Sequence, residues 1–403
     1  MKTNKIACCY LTHNHPDVVK DVLTNAVTEY ANHGIDMIFC DSSDDYSTKE
    51  IVEQFIKEGN SNIYYADARN AINADDKYLK IIKGEYLTKS YDYIWPCKDR
   101  VYFSGEVLNR LDLSIEQNND LIMMVRTIDR YLLGWNENEW IGIKENYNDA
   151  TEFFAHFGKL STNWEAMIFN TSTLLNISDW NHFISQYNLG KDMPFNQTVT
   201  IFSRLAEMTS CKVNVLHTTD ECLHYSKFAT SEWLSKVFSI WIDKWIPAIF
   251  NLPQIYDAHK FNVFKSSVDS PVVLFGSIDF LCLLHNQNLL TSETFQQYRD
   301  MWASLSSIPV DYVDLIINDN LEQLYPIIMD DYSVAIKNHD LIRAMKMHLS
   351  NKWLKNYLGN DYDILEKVYI NILSLLTCRQ SIEAYKQADN YKELIEIYNT
   401  NSN

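Results

Sequence analysis

The chain has 403 residues, enough for two domains that each bury a core, and its 46% hydrophobic and 22% charged content is that of an ordinary globular protein. Its 53 acidic residues outnumber 35 basic ones for a formal net charge of −18, which excludes a broad phosphate-neutralising surface and with it non-specific nucleic-acid binding. Lys2 and Lys5 precede only a short apolar run before His13, which is no signal peptide, and VFSIWIDKWIPAIFNLP is broken by Asp243 and Lys244 and stops at Pro253, too short to span a bilayer.

In chain order, residues 1–126 alternate strand-like and helix-like segments. Strands are expected at 5–11, 35–41, 62–65, 92–96 and 119–125, and helices at 17–32, 47–58, 75–84 and 106–116. Strands alternating with helices read as a mostly parallel sheet covered on both faces. Ser47 and Thr48, with Glu50 just after, are start signals for the second helix. From 127 to 225 the text is more irregular and aromatic. WEAMIFN at 164–170 reads as a strand, FNQTVTIFSRLAEMT as a helix and CKVNVLH at 211–217 as a closing strand. Beyond about 231 the pattern turns helical, with amphipathic runs at 275–287, 292–306, 334–358 and 362–399. Residues 1–230 are therefore expected to form the catalytic domain and 231–403 an appended helical region.

The eight cysteines (Cys8, Cys9, Cys40, Cys97, Cys211, Cys222, Cys282 and Cys378) form no CxxC pair and sit mostly in apolar runs, where a reduced thiol packs as a small hydrophobe. That usage fits a reducing cytoplasm and gives no support for zinc. Trp241, Trp245 and Phe250 make a stripe that fits buried packing better than a peripheral contact at the inner face of a membrane.

The first strand runs straight into the polar turn HNHPD, and the second, IDMIFCD, ends in SSDD. Thr12, His13 and Asn14 thus leave one strand tip and Asp41, Ser42, Ser43, Asp44 and Asp45 the other. In an open α/β sheet ligands bind outside the carboxyl ends of the strands, so both tips face one crevice. The first turn has no GxGxxG, which argues against a dinucleotide oxidoreductase, and no GxSxG, Walker or HExxH motif occurs.

YLTHNHPDVV and DSSDDYST resemble the start of a GT-A-fold glycosyltransferase of the bacterial family 2 group, over roughly residues 1–230. The resemblance implies an α/β, Rossmann-like, mostly parallel sheet with helices on both faces. It further implies that Thr12, His13, Asn14, Asp41 and Ser43 hold the nucleoside of a nucleotide-diphosphate sugar, with UDP as the expected nucleotide. YDYIWPCKDR then corresponds to the strand that ends in the family's Asp-x-Asp motif. Asp99 matches the last aspartate, which anchors Mn²⁺ or Mg²⁺ on the diphosphate, while Cys97 replaces the first. That departure makes metal dependence an open question and leaves Lys98 and Arg100 as direct phosphate partners; a solvated strand end is the plain alternative.

In DARNAINADDKYLK the resemblance points to Asp76 and to Lys77 as a diphosphate contact, with Arg69 the weaker alternative and a solvated helix face the bland one. An inverting transferase needs a carboxylate to take the acceptor hydroxyl's proton. Asp192, before the FNQTV helix, has the family's position for it and equally suits a helix cap; Glu165 is the rival, as a Glu expected to lie exposed at a strand start. His224, Lys227 and Ser231 lie in a loop of the kind that closes over donor phosphates, or in a plain connection. The acceptor would be a hydroxyl of a lipid-linked or protein-linked glycan, in cell-surface polysaccharide or adhesin glycosylation. The helical half would serve acceptor binding or homo-oligomer formation. Two other readings stay open: a nucleotidyltransferase, though its glycine-bearing first turn is missing, and a non-catalytic interaction protein with a vestigial cleft.

Overall fold

The computed structural model describes residues 6–126, 143–190, 195–218, 222–226, 236–268, 278–306, 308–320, 323–324 and 326. Strand β1 (Ile6–Thr12), helix α1 (Pro16–Asn32), β2 (Ile35–Asp41), α2 (Ser47–Lys57), β3 (Ile63–Asp67), α3 (Ala74–Ile82), β4 (Tyr93–Lys98), the short β5 (Val101–Phe103), α4 (Glu106–Glu116) and β6 (Leu121–Arg126) follow one another. They are joined by β7 (Asn146–Tyr147), α5 (Ala150–Phe157), β8 (Met167–Asn170), α6 (Trp180–Gln186), α7 (Asn196–Glu207), β9 (Val213–Thr218) and β10 (Leu223–Tyr225).

The main sheet has the order β3-β2-β1-β4-β8-β6-β9-β7, and β5 and β10 form a separate two-stranded ribbon. β1 pairs in parallel with both β2 and β4; β8 is antiparallel to β4 and β6, and β7 is an antiparallel edge. All seven residues of β1 and all seven of β2 are buried, which requires cover on both faces. On one face Cys8, Tyr10, Met37, Phe39, Trp95 and Cys97 pack with Val19, Val22 and Leu23 of α1, Val52 of α2 and Leu108 and Leu111 of α4. On the other, Tyr78, Ile81 and Ile82 of α3 are buried. This is the α/β, mostly parallel, two-faced sheet that the GT-A resemblance implied.

The described residues after 231 form helices: a π-helical turn Ser239–Trp245, α8 (Ile246–Phe250), α9 (Asp257–Val268), α10 (Ile278–Asn286), α11 (Ser292–Gln296), α12 (Arg299–Leu305) and α13 (Val310–Ile317). The chain divides into two compact units. The first takes in the described residues up to 231 together with Asp243–Phe264, and the second the described residues of 232–242 and those from Lys265 on. In the first, Trp245 is fully buried and meets Phe195 at 4.7 Å between ring centroids, so it is a core residue and no membrane anchor. Tyr256 packs on Phe154 and Phe202, and its hydroxyl donates to the Phe202 carbonyl at 2.8 Å. In the second, Phe238 stacks on Tyr298 and Trp302 donates to the Ile308 carbonyl.

Four local readings differ from the expectation. The 164–170 strand begins as a 3₁₀ turn, Trp164–Ala166, and only Met167–Asn170 pairs. The run 292–306 is two helices, α11 and α12. The residue before α2 is Tyr46, with no side-chain cap. Ribbon strands β5 and β10 have three residues each, too short for a periodic signal. The amphipathic runs at 334–358 and 362–399 lie outside the described residues. No helix among the described residues is long and apolar enough to cross a membrane.

Candidate functional site

β1 stands between β2 and β4, and the connections leave it in opposite directions across the sheet, which makes its carboxyl end the switch point where such sheets hold ligands. Register places Thr12 beside Asp41, and Leu11 beside Lys98 on the other flank. Asp41, Thr12 and Asp99 therefore finish adjacent strands at about one level.

The β1 and β2 turns are laced together. Asp41 is 1% exposed; its Oδ1 accepts from the Ser43 amide at 2.9 Å and the Ser43 hydroxyl at 2.5 Å, and its Oδ2 from the Tyr65 hydroxyl at 3.1 Å. Burial, with the Asp41 charge, pushes the Tyr65 phenol well up. Asn14 takes a left-handed φ of 54°, as asparagine tolerates, and its amide donates to Ser43 Oγ at 2.7 Å. The Asn14 side chain donates to Asp44 and accepts from the Asp44 amide, and His13 donates from Nδ1 to the Ser42 carbonyl. Thr12 is buried, and its hydroxyl has no hydrogen-bond partner among the described residues.

Lys77 is buried, so the solvated-face alternative fails for it. Its ammonium donates to the Thr12 carbonyl at 2.7 Å and to Ser42 Oγ at 2.6 Å, which ties α3 to both strand tips. Burial pulls its pKa down, against the opposing pull of Cys40, Asp41 and Asp99. Asp76, by contrast, accepts from the Ile72 amide and pairs with Lys80 at 3.3 Å. Arg69 pairs with Asp67 and lies over the Tyr46 ring at 4.9 Å, and this contact holds Asp67 down at about 2.

At the β4 tip, Asp99 is 3% exposed. Its Oδ2 lies 2.8 Å from His15 Nδ1 and its Oδ1 3.8 Å from Arg100 Nε. His15 is the residue before α1, held by Pro16 at the first helical position. Lys98 pairs with Glu165 at 3.1 Å. Glu165 is buried, not exposed as expected: its backbone carbonyl accepts from the Trp95 indole at 3.0 Å, and the Lys98 ammonium offsets the charge that burial would otherwise strand. Cys97 points the other way, into the core, with its Sγ 3.5 Å from that of Cys8. Among the described residues no group of three or more His, Cys, Asp or Glu side chains is arranged to hold a metal.

His224 lies on the β5–β10 ribbon. Its Nε2 is 2.6 Å from Ser104 Oγ, its ring stacks on Tyr102 at 4.8 Å, and burial holds the imidazole below its ordinary value. The ribbon ties back to the β4 tip through the Ser226 amide, which donates to the Arg100 carbonyl at 2.8 Å. Asp192, Lys227 and Ser231 lie outside the described residues. The N-cap of α7 is Phe195, in a left-handed conformation with φ 69°. Asn196, fully buried, accepts from the Gly190 amide and donates to the Gly190 and Asp75 carbonyls. Burial raises Asp75 to about 6, against Lys244 and the Phe195 amide.

Sequence reasoning passed over His15, Tyr65, Asp75 and Asn196. Only His15 carried a signal, as the third polar residue of the HNHPD turn. The others become visible only through long-range packing.

No protein-family model matches the chain and no curated protein matches it. Among solved structures it is similar to Staphylococcus aureus TarS 1–349, at 13% identity over 99% of this chain and 91% of that one, with a TM-score of 0.41. A UDP complex of TarS 1–349 aligns at 12% identity over 79% and 92%, TM-score 0.40. The mannosyltransferase PcManGT from Pyrobaculum calidifontis, in complex with GDP-Man and Mn²⁺, aligns at 9% identity over 80% and 88%, TM-score 0.42. At such scores the fold rests on the strand order and the two-faced sheet, not on these likenesses.

Proposed function

We propose that the chain is a GT-A glycosyltransferase resembling family 2, which moves a sugar from a nucleotide-diphosphate donor, with UDP as the nucleotide, to an acceptor hydroxyl. The observation that carries this reading is the strand-tip cluster: a buried Asp41 and a buried Thr12 hydroxyl with no partner among the described residues, on neighbouring strands at the switch point of the sheet. A buried polar atom without a protein partner calls for a ligand or a water.

In this reading Asp41 and the Thr12–Asn14 turn hold the nucleoside, and Ser43 fixes the turn. Lys77 positions the two tips. His15, Lys98 and Arg100 face the diphosphate side. Asp99 fits a divalent cation only as a single carboxylate, which suits a Mg²⁺ or Mn²⁺ ion that takes its remaining oxygens from the diphosphate and water. Such an ion would supply charge neutralisation to the departing diphosphate. Asp192 takes the acceptor proton while the acceptor oxygen bonds the anomeric carbon and the carbon–oxygen bond to the diphosphate breaks, with inversion. Glu165 is the second candidate for that proton, weakened by its pairing with Lys98. We assign residues 231–403 to acceptor binding or self-association.

Incubation of the full chain with a panel of nucleotide sugars, scored for release of nucleoside diphosphate, tests the reading. Release with one donor supports it. Pyrophosphate release from a nucleoside triphosphate would favour a nucleotidyltransferase, and binding without turnover a vestigial cleft.

A further inference from the structure

A cavity of about 470 Å³ opens at the opposite end of the same sheet from the strand tips, where β4 begins and β8 ends. It lies within the range of small-molecule sites. We infer that this cavity binds a neutral saccharide, away from the strand tips that hold the donor.

Its chemistry is that of a sugar site. Leu87 and Leu175 line it, and Trp180, at the first position of α6, adds a partly exposed aromatic wall. The Trp180 indole meets Phe183 edge-on at 5.9 Å, which holds the ring, and its N–H has no acceptor among the described residues. Thr88, Ser90 and Thr171 put three hydroxyls on the rim. Those of Thr88 and Ser90 bond no protein group among the described residues, while Thr171 spends its proton on the Tyr91 carbonyl at 2.6 Å and keeps its acceptor sites. A pyranose is apolar on its ring face and hydroxylated around its edge, and so matches a wall of this kind with such a rim.

Charge argues against an anion. Both lysines of the cavity are already matched: Lys83 pairs with Glu85 at 2.5 Å, and Lys89 with the fully buried Asp36 at 2.6 Å. Lys89 is further held over the rings of Tyr64 and Tyr91, at 5.1 and 5.3 Å. A phosphate or carboxylate would find no surplus cation. In the transferase reading the cavity would tether a part of the acceptor glycan remote from the reacting hydroxyl. That role rests on the reading; the binding itself does not.

The test is saturation-transfer NMR on the full chain with methyl glucoside, methyl galactoside and methyl N-acetylglucosaminide, each with and without UDP, and with glycerol phosphate as the anionic control. At least one glycoside is expected to bind without displacement by UDP. Trp180→Ala should weaken it at least about tenfold, as removal of an aromatic anchor does, and Trp180→Phe should retain part of the binding. Thermal melts establish that each variant is folded; should Trp180→Ala unfold, the exposed rim pair Thr88→Val with Ser90→Ala carries the same expectation. The inference is overturned if no glycoside binds, if UDP displaces it, if the variants bind as the wild type does, or if glycerol phosphate binds in preference. Failure of donor turnover leaves this result untouched, so the two readings fail separately.

Discussion

A truncation after residue 230, where composition alone divides the chain, should destroy the first unit. The segment Asp243–Phe264 belongs to that unit and fills its core. Trp245 and Tyr256 are fully buried, against Phe195 in one case and Phe154 and Phe202 in the other. Replacing one buried Trp or Phe by Ala costs about 3–5 kcal/mol, so losing these two alone removes roughly 6–10 kcal/mol. The Tyr256–Phe202 hydrogen bond adds about 1 kcal/mol. A domain of ordinary stability has about 5–15 kcal/mol in total. A fragment ending after α9, at Val268, keeps all of these contacts. Size-exclusion chromatography and circular-dichroism melting should show a cooperative transition for residues 1–268 and aggregation or a flat melt for 1–230. A monomeric 1–230 fragment that melts cooperatively would refute the reasoning.

Asp75→Asn should stabilise the chain at pH 8 and not at pH 4. Burial raises the folded carboxyl to about 6, above the ordinary value of about 3.9, so stability falls as pH rises through that window and the Asn variant escapes the loss. Discounted for partial exposure, the gain is at most about 2 kcal/mol by urea unfolding, and a pH-independent difference would count against it. Asp99→Ala should abolish any Mn²⁺ dependence of donor binding while the melt is retained; donor affinity unchanged by both the substitution and EDTA would remove Asp99 from the metal role. Asp192→Asn should cut transfer by ~10²–10⁴-fold with donor binding intact, and a loss below about tenfold would move the assignment to Glu165.

The parallel half of the fold was legible because its signals are local. Strands buried on both faces read as continuous apolar runs, and each ends in a polar turn, so Ile35–Asp41 matches its expected bounds; the helix Glu106–Glu116 matches its own through its amphipathic period. The same strand-end logic leads to the expectation that Thr12, Asn14 and Asp41 face one crevice, whereas Asp99 is expected beside them only from the resemblance. What stayed hidden depends on partners far along the chain. Lys77 is singled out only through the resemblance, as a diphosphate contact, since its own surroundings in the sequence suit a solvated helix face; its burial across Thr12 and Ser42 shows only once α3 is in place. Glu165 reads as exposed until Lys98, 67 positions away, pairs with it. Asp243–Phe264 reads as part of a helical region, and only its burial against Phe154, Phe195 and Phe202 joins it to the sheet domain.

The claim that a nucleotide sits at the tips of β1, β2 and β4 is tested most directly by calorimetric titration of UDP, with Mn²⁺ present, into the wild type and into Asp41→Ala. The account predicts binding to the wild type, and a loss of about 1–3 kcal/mol in a variant that still melts cooperatively, the cost of a charge-assisted hydrogen bond. Absence of UDP binding to the wild type, or the same affinity in both proteins, would contradict it.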